Sequence, residues 1–197
     1  MFKGIIFDYG GVLDTGKGFM HFCERYAEKF NKTPEELNTI IKKYWRLART
    51  EKIPSSEFWE GISRELSCDR DYFESLMKGF PVVDQEAMDL VKSLKNNYKL
   101  ALLSNHIRDW LEEIVKDNKL DQIFDVIMAS YEFGLEKPNI PIYEEVVEKL
   151  ELEPEECVFI DDQENNIPPA REIGMKAILF RDLSQLKKEL EKLDLKF

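Results

Sequence analysis

The chain has 197 residues, 43% of them hydrophobic, which is enough for one sizeable core or for a core with a smaller inserted module. It carries 28 Lys and Arg residues against 39 Asp and Glu residues, and the net charge of -11 disfavours binding to nucleic acids or anionic membranes. No stretch approaches the roughly 20 apolar residues that cross a bilayer, and the first residues lack the features of a secretory leader.

Five short apolar runs end near polar or turn-forming residues, a pattern typical of strands buried on both faces. The runs span residues 4–9, 98–104, 124–130, 157–161 and 176–180. Helical patterns lie between and after them, at 84–96, 108–119, 142–150, 168–173 and 183–193. Because strand and helix alternate, the sequence predicts an α/β fold with a Rossmann-like, three-layer core around a parallel sheet.

Residues 15–83 interrupt this alternation. They contain four amphipathic segments with the helical period, and none of them has a convincing strand pattern. The segments span 19–30, 34–50, 56–66 and 70–80. The sequence therefore predicts an all-helical insert at 15–83, placed within a core domain made of residues 1–14 and 84–197.

Polar side chains follow four of the predicted strands. Ligands of an open parallel sheet bind beyond the carboxyl ends of the strands, so we expect these side chains to meet in one crevice. They are Asp8 after the first strand, Ser104 and Asn105 after the second, Lys137 beyond the third, and Asp161 and Asp162 at the fourth.

Three carboxylates in one crevice repel one another unless a cation lies among them. Asp8, Asp161 and Asp162 therefore predict a divalent ion, and Mg²⁺ is the hard cation that prefers such oxygen ligands. No cluster of Cys and His indicates zinc. Lys137 adds a positive charge that can pair with Asp8 or with an anionic substrate. Together with a hydroxyl and backbone amides exposed at glycines, these groups suit a phosphoryl group.

Four motifs, in this order, resemble those of the haloacid dehalogenase superfamily of hydrolases. They are FDYGGVLD at 7–14, LLSN at 102–105, GLEKPNIPIY at 134–143 and VFIDDQENNIPPAREIGM at 158–175. The resemblance covers nearly the whole chain and implies a phosphatase whose helical insert is a small cap that closes over the site. It implies that Asp8 is the nucleophile, which forms an aspartyl phosphate that water then hydrolyses.

The resemblance also implies the roles of the other site residues. The Mg²⁺ ion would be held by Asp8, the backbone carbonyl of Gly10 and Asp162, with Asp161 and Asn166 supporting them. Catalysis would need Asp8 and Lys137. The residues expected to bind the phosphate or substrate are Gly11, Ser104, Asn105, His106 and Lys137.

The sequence departs from the family pattern at Gly10. Most phosphatases of the superfamily have an aspartate there, which protonates the leaving alcohol, and general acid catalysis is typically worth ~10²- to 10⁴-fold. A leaving group that needs little help, such as the anomeric oxygen of a sugar 1-phosphate, would explain the glycine, and we favour this interpretation. Asp14 or His106 could replace the missing acid, although Asp14 is more simply a turn or hinge residue.

Two other functions stay open at this point. A catalytically silent protein on the same fold would bind a phosphorylated metabolite or act as a regulator. A dehalogenase also lacks the second aspartate, but it works without a metal and has no use for the Asp161–Asp162 pair. The pair therefore favours a small phosphorylated metabolite as the partner of the site.

Four side chains of the insert, Trp45, Arg46, Arg49 and Lys52, could contact a sugar or steer a phosphate. Core packing of the aromatic ring and a solvated charged face are the simpler interpretation.

The chain contains three cysteines, Cys23, Cys68 and Cys157, which are far apart and lack CxxC spacing. They predict reduced thiols in a cytoplasmic protein. Both a monomer and a homodimer are compatible with the sequence.

Overall fold

Five parallel strands form one sheet in the computed structural model, which describes residues 1–16 and 18–197. The sheet has the order β3-β2-β1-β4-β5, so β1 lies at its centre. The strands are β1 (Gly4–Phe7), β2 (Lys99–Ser104), β3 (Val126–Ala129), β4 (Cys157–Asp161) and β5 (Lys176–Leu179). All five predicted strands are present, and the predicted parallel α/β core is confirmed.

Helices cover both faces of this sheet. They are α5 (Gln85–Leu94), α6 (Arg108–Asn118), α7 (Ser130–Phe133), α8 (Ile140–Leu150), α9 (Ile167–Glu172) and α10 (Leu183–Lys192). Successive side chains of a strand point to opposite faces, so Ile5 and Phe7 of β1 pack in one layer with α5 and α10. Ile6 packs in the other layer with α8 and α9. The core therefore has three layers.

Four α-helices lie between β1 and α5 in the described part of the chain, as the sequence predicts. They are α1 (Gly18–Tyr26), α2 (Pro34–Ala48), α3 (Ser55–Leu66) and α4 (Arg70–Lys78). The start of α2 is defined by Thr33, whose hydroxyl accepts from the Glu36 amide while the Glu36 carboxylate accepts from the Thr33 amide. Asp14 and Val83 pair as an antiparallel bridge, so the two connections between these helices and the core run side by side.

The four helices share a hydrophobic cluster of their own, which includes Phe22, Ile41 and Phe58. Ile107 and Trp110, from the start of α6, are buried in the same cluster, so these four helices are packed directly against the core.

Polar contacts add to this packing. The Trp59 indole N–H donates to Asp109 at 2.9 Å, and Lys78 Nζ lies 2.5 Å from Glu113.

The short helix α7 was not predicted, because its four residues are too few to show a helical period. None of the helices in the described part of the chain is long and apolar enough to cross a membrane.

Candidate active site

Three carboxylates meet at the carboxyl ends of the two central strands. Asp8 directly follows β1, and its amide donates to the Ile160 carbonyl of β4 at 2.9 Å. Asp161 is the last residue of β4, and Asp162 follows it. One carboxylate oxygen from each of the three residues lies within 4.8 Å of the other two. The structure thus brings together the acidic residues that the sequence predicted to meet.

Lys137 joins this cluster from the loop between α7 and α8. Its ammonium nitrogen lies 2.9 Å from Asp8 Oδ1 and 2.7 Å from Asp161 Oδ2, and the residue is only 2% exposed. The side-chain amide of Asn105 holds the Lys137 backbone at both ends. Asn105 Nδ2 donates to the Lys137 carbonyl at 2.8 Å, and the Lys137 amide donates to Asn105 Oδ1 at 2.9 Å. Asn105 therefore positions Lys137, and its predicted contact with phosphate stays a prediction.

Asp161 is fully buried and is held by donors on both oxygens. The Gln163 amide donates to Oδ1 at 2.8 Å, and Asn166 Nδ2 lies 2.9 Å and 3.0 Å from the two oxygens. Tyr143 in turn donates its hydroxyl to the Asn166 carbonyl at 3.0 Å. This network orients Asp161 toward Lys137, as expected for a supporting residue.

The electrostatics of the cluster favour an added cation. Burial raises the pKa of Asp8 to about 8 against the attraction of Lys137. Burial and the neighbouring Asp161 raise the pKa of the partly solvated Asp162 to about 6. Burial alone would lower the pKa of Lys137, but Asp8 and Asp161 raise it, so the lysine stays charged. One ammonium cannot neutralise three carboxylates, and a divalent cation with oxygen ligands fits the remaining charge.

The two glycines after Asp8 have different surroundings. Gly11 has a φ of +75°, and a Cβ atom there would collide with the Asp162 carboxylate, so only glycine fits. A Cβ atom at Gly10 would have no heavy atom within 4 Å. The Gly11 amide donates to Asp14 Oδ1 at 2.9 Å. The amide that the sequence predicts to bind the phosphate therefore already has a hydrogen-bond partner in this structure.

A cavity of about 590 Å³ opens above the carboxylates. Core residues form its base, among them Asp8, Gly10, Gly11, Ser104 and Lys137. Helices α1, α2 and α4 contribute its walls, which include Phe19, Lys42, Trp45, Arg46, Arg49 and Met77. The Ser104 residue is 2% exposed and lines this cavity. Trp45, Arg46 and Arg49 line it too, while Trp45 is also buried in the hydrophobic cluster of the insert, and Arg46 and Lys52 are exposed, as the simpler interpretation expects.

His106 lies in the cavity wall among aromatic rings. Its ring is 5.1 Å from those of both Trp45 and Trp110, and Nδ1 lies 3.1 Å from the Ile107 carbonyl. Since a carbonyl only accepts, Nδ1 carries the proton. Burial lowers the pKa of His106 to about 4, partly offset by this hydrogen bond. A neutral imidazole whose one N–H is engaged cannot protonate a leaving group at neutral pH, which argues against His106 as the missing acid.

Asp14, the other candidate for that acid, spans the turn after Asp8. Its Oδ1 accepts from the Gly11 amide at 2.9 Å and from the Gly16 amide at 3.1 Å, as a turn residue does. Burial raises its pKa against these two hydrogen bonds, and the residue also lines the cavity. The structural interpretation of Asp14 is therefore supported, and its catalytic role stays a prediction.

The sequence did not predict the links between the inserted helices and the loop that carries Lys137. Arg49 Nε lies 2.5 Å from Glu136 Oε2, and the Ser130 hydroxyl donates to the Arg49 carbonyl at 2.5 Å. Glu136 directly precedes Lys137, but nothing in the sequence indicates a partner 87 positions away.

This arrangement of central-strand acids, a buried lysine and inserted helices can be compared with known proteins. A family model described as haloacid dehalogenase-like hydrolase matches residues 5–180. The chain belongs to this family. The resemblance inferred from the four motifs is thereby confirmed.

Its relatives include phosphatases. A D-ribitol-5-phosphate phosphatase of Bacteroides thetaiotaomicron is 26% identical over 194 residues, which cover 89% of this chain and 90% of that one. A HAD family enzyme from Bacteroides thetaiotaomicron, solved in complex with magnesium and inorganic phosphate, has a TM-score of 0.77 and 25% identity, with 94% of this chain and 99% of that chain covered. The bifunctional epoxide hydrolase 2 of Rattus norvegicus is 35% identical over 105 residues, half of this chain but only 18% of that relative.

The buried Lys137 of this hydrolase supports a stability prediction. Lys137→Met leaves Asp8 and Asp161 buried without their cation, and removing one partner of a buried ion pair costs about 3 kcal/mol or more. We expect urea unfolding in chelator to show this loss. In Lys43→Met, which removes the exposed pair with Glu65, we expect a much smaller change, because solvent screens that pair. Equal effects of the two substitutions would contradict the inferred role of the buried cluster.

His106 supports a prediction of pH dependence. Its pKa is about 4 in the folded protein against 6.5 for a free histidine, so the unfolded state binds the extra proton between these values. The contribution of His106 to the free energy of unfolding is therefore fully present above pH 6.5. It falls by about 3 kcal/mol as the pH drops toward 4.

His106→Phe should flatten this part of the curve of unfolding free energy against pH. His21→Gln is the matched control, because it replaces an exposed histidine. A slope that is the same in His106→Phe and in the parent would contradict the prediction.

Proposed function

We propose that this hydrolase is a Mg²⁺-dependent phosphatase of small metabolites that works through an aspartyl phosphate on Asp8. The observation that carries the proposal is the contact of Lys137 with Asp8, beside Asp162 and at the base of the cavity. The phosphatase names of its relatives and the magnesium and phosphate in a structure of similar fold support it. We further propose that the insert at 15–83 is the cap and that the enzyme is cytoplasmic.

The two oxygens of Asp8 have different environments. Oδ1 accepts from the Tyr9 amide at 2.7 Å and contacts Lys137, while Oδ2 has no hydrogen-bond partner in the described residues. In the proposed reaction a carboxylate oxygen of Asp8 attacks phosphorus, and the bond from phosphorus to the leaving oxygen breaks. The leaving oxygen takes a proton from water, because position 10 carries no acid. Water then attacks the aspartyl phosphate, which releases phosphate and restores the Asp8 carboxylate.

The residues that would hold the metal are Asp8, the Gly10 carbonyl and Asp162, with Asp161 and Asn166 supporting them. Bound Mg²⁺ supplies positive charge that offsets repulsion between carboxylate and phosphate. Lys137 supplies a second positive charge at Asp8, and Ser104 supplies a hydroxyl for the phosphate. The backbone amide of Gly11 would donate to the phosphate once it no longer donates to Asp14. Asn105 and His106 would lie beside the phosphate.

The empty space at Gly10 supports a sugar 1-phosphate as the substrate. No carboxylic acid lies at this position to protonate the leaving oxygen, and His106 is neutral with its N–H engaged. An anomeric oxygen leaves more readily than a primary alkoxide, so it depends less on the missing acid.

A panel of esters tests this proposal. With Mg²⁺ present we expect hydrolysis of p-nitrophenyl phosphate and of glucose 1-phosphate, with kcat/KM for glucose 1-phosphate about tenfold or more above that for glucose 6-phosphate. Chelation of the metal should abolish turnover, and added Mg²⁺ should restore it. Absence of turnover on every ester, together with tight binding of a sugar phosphate, would instead support the silent binding protein. Chloride release from a 2-haloacid without metal would support the dehalogenase.

A further inference from the structure

One wall of the cavity is cationic although the protein as a whole is acidic. Helix α2 contributes Lys42, Trp45 and Arg46 to the cavity, and Arg49 at its end lies there too. The spacing of these four positions places them on one face of a helix with 3.6 residues per turn. Three of the four side chains carry a positive charge, in a chain whose net charge is -11.

Two of these cations, both of them exposed, have no acidic partner among residues 1–16 and 18–197. Arg49 is paired with Glu136, and Lys43, the neighbour of Lys42 that does not line the cavity, is paired with Glu65 of α3. For Lys42 and Arg46, no carboxylate of residues 1–16 or 18–197 lies within ion-pair distance. Carboxylates outnumber cations in the chain by 39 to 28, so this lack of partners is not explained by a shortage of acids.

The cavity is larger than a phosphate group requires. Its volume of about 590 Å³ falls within the range of sites that hold whole small molecules. The phosphate end of a substrate is defined by Asp8 and Lys137 at the base. The leaving group must then lie along the walls, where aromatic rings such as Phe19 and Trp45 pack edge to face at 4.8 Å.

We propose that Lys42 and Arg46 form a second anion-binding subsite, and that the preferred phosphate monoester carries another anionic group, a carboxylate or a second phosphate, on its leaving group. The proposal deepens the proposed phosphatase function and rests on it for the placement of the first phosphate. Two cations on one helix face, four positions apart, can both contact one anion, and a charge-assisted hydrogen bond from each gives the preference.

A matched pair of ligands tests the subsite. Glucose 1-phosphate and glucuronic acid 1-phosphate differ only in the carboxylate at carbon 6. Their dissociation constants are measured by calorimetry in an Asp8→Asn background, where no turnover interferes. We expect the uronic acid to bind about three- to tenfold more tightly, and we expect Lys42→Met with Arg46→Met to remove that preference. Lys43→Met, one position away, should leave it intact.

Three results would overturn the subsite. The first is equal affinity for the two ligands. The second is an equal loss of affinity for both ligands when Lys42→Met and Arg46→Met are combined, which would indicate general electrostatic attraction. The third is loss of the preference for the uronic acid in Lys43→Met. Because the test measures binding, it separates the two proposals. A preference for the uronic acid without turnover in the parent enzyme would refute the phosphatase and retain the subsite. Turnover in the parent enzyme without a preference for the uronic acid would refute the subsite and retain the phosphatase.

Discussion

Asp8→Asn is expected to lower kcat by about 10³-fold or more with every phosphate ester tested, because the amide cannot attack phosphorus. The folded structure should survive. Lys137 keeps its ion pair with Asp161 at 2.7 Å, and burial already disfavours the charged form of Asp8, raising its pKa to about 8, so a neutral side chain of the same shape costs little. The measurements are steady-state kinetics with Mg²⁺ and thermal unfolding of the same samples.

Asp121→Asn provides the matched control for this loss. Asp121 is exposed, lies before β3 and is far along the chain from the cluster, so the same chemical change should leave kcat unaffected. Residual activity of Asp8→Asn above a tenth of the parent value would show that Asp8 is not the nucleophile.

Gly10→Asp is expected to raise kcat for a primary-alcohol ester such as glucose 6-phosphate by about 10²-fold, the lower end of what general acid catalysis supplies. A Cβ atom at Gly10 meets no heavy atom within 4 Å, and the residue lines the cavity, so the new carboxyl group has room beside the leaving oxygen. The rate with p-nitrophenyl phosphate should change little, since its leaving group needs no proton. The comparison of the two substrates is the measurement.

Two variants separate acid catalysis from a change in shape. Gly10→Asn has nearly the same size but no proton to give, and it should not show the gain. Gly11→Ala should lose activity, because its Cβ would collide with Asp162 and its backbone has a φ of +75°. A similar gain in Gly10→Asn would mean that the gain comes from a change in shape and not from proton donation. No gain in Gly10→Asp would mean that another group such as Asp14 already protonates the leaving oxygen.

Much of the fold and of the site chemistry is local in the sequence. The apolar runs are short and continuous because parallel strands are buried on both faces, and their period therefore predicts the sheet directly. Asp8 and Asp161 are recognisable because each ends such a run, where a charge has no place unless the strand end opens into a crevice. The four helices of the insert are likewise predicted by their amphipathic period.

The pairing of polar side chains depends on distant parts of the chain. Asn105 appears in the sequence as a phosphate donor, whereas the structure engages its amide with the backbone of Lys137, 32 positions away. Arg49 reaches Glu136 in the same manner. Such contacts depend on how the insert packs on the core, and the local hydrophobic pattern of the sequence does not indicate them.

The sequence by itself indicated which polar residues gather at the strand ends, because strand ends, glycines and charges are properties of short segments. Only the tertiary structure decided the protonation state of those residues and which way their side chains face. His106 is neutral because aromatic rings from both the insert and the core bury it. Lys42 lines the cavity and Lys43 does not, because only one face of α2 is turned toward the cavity. Burial and facing are set by long-range packing, which a single sequence does not display.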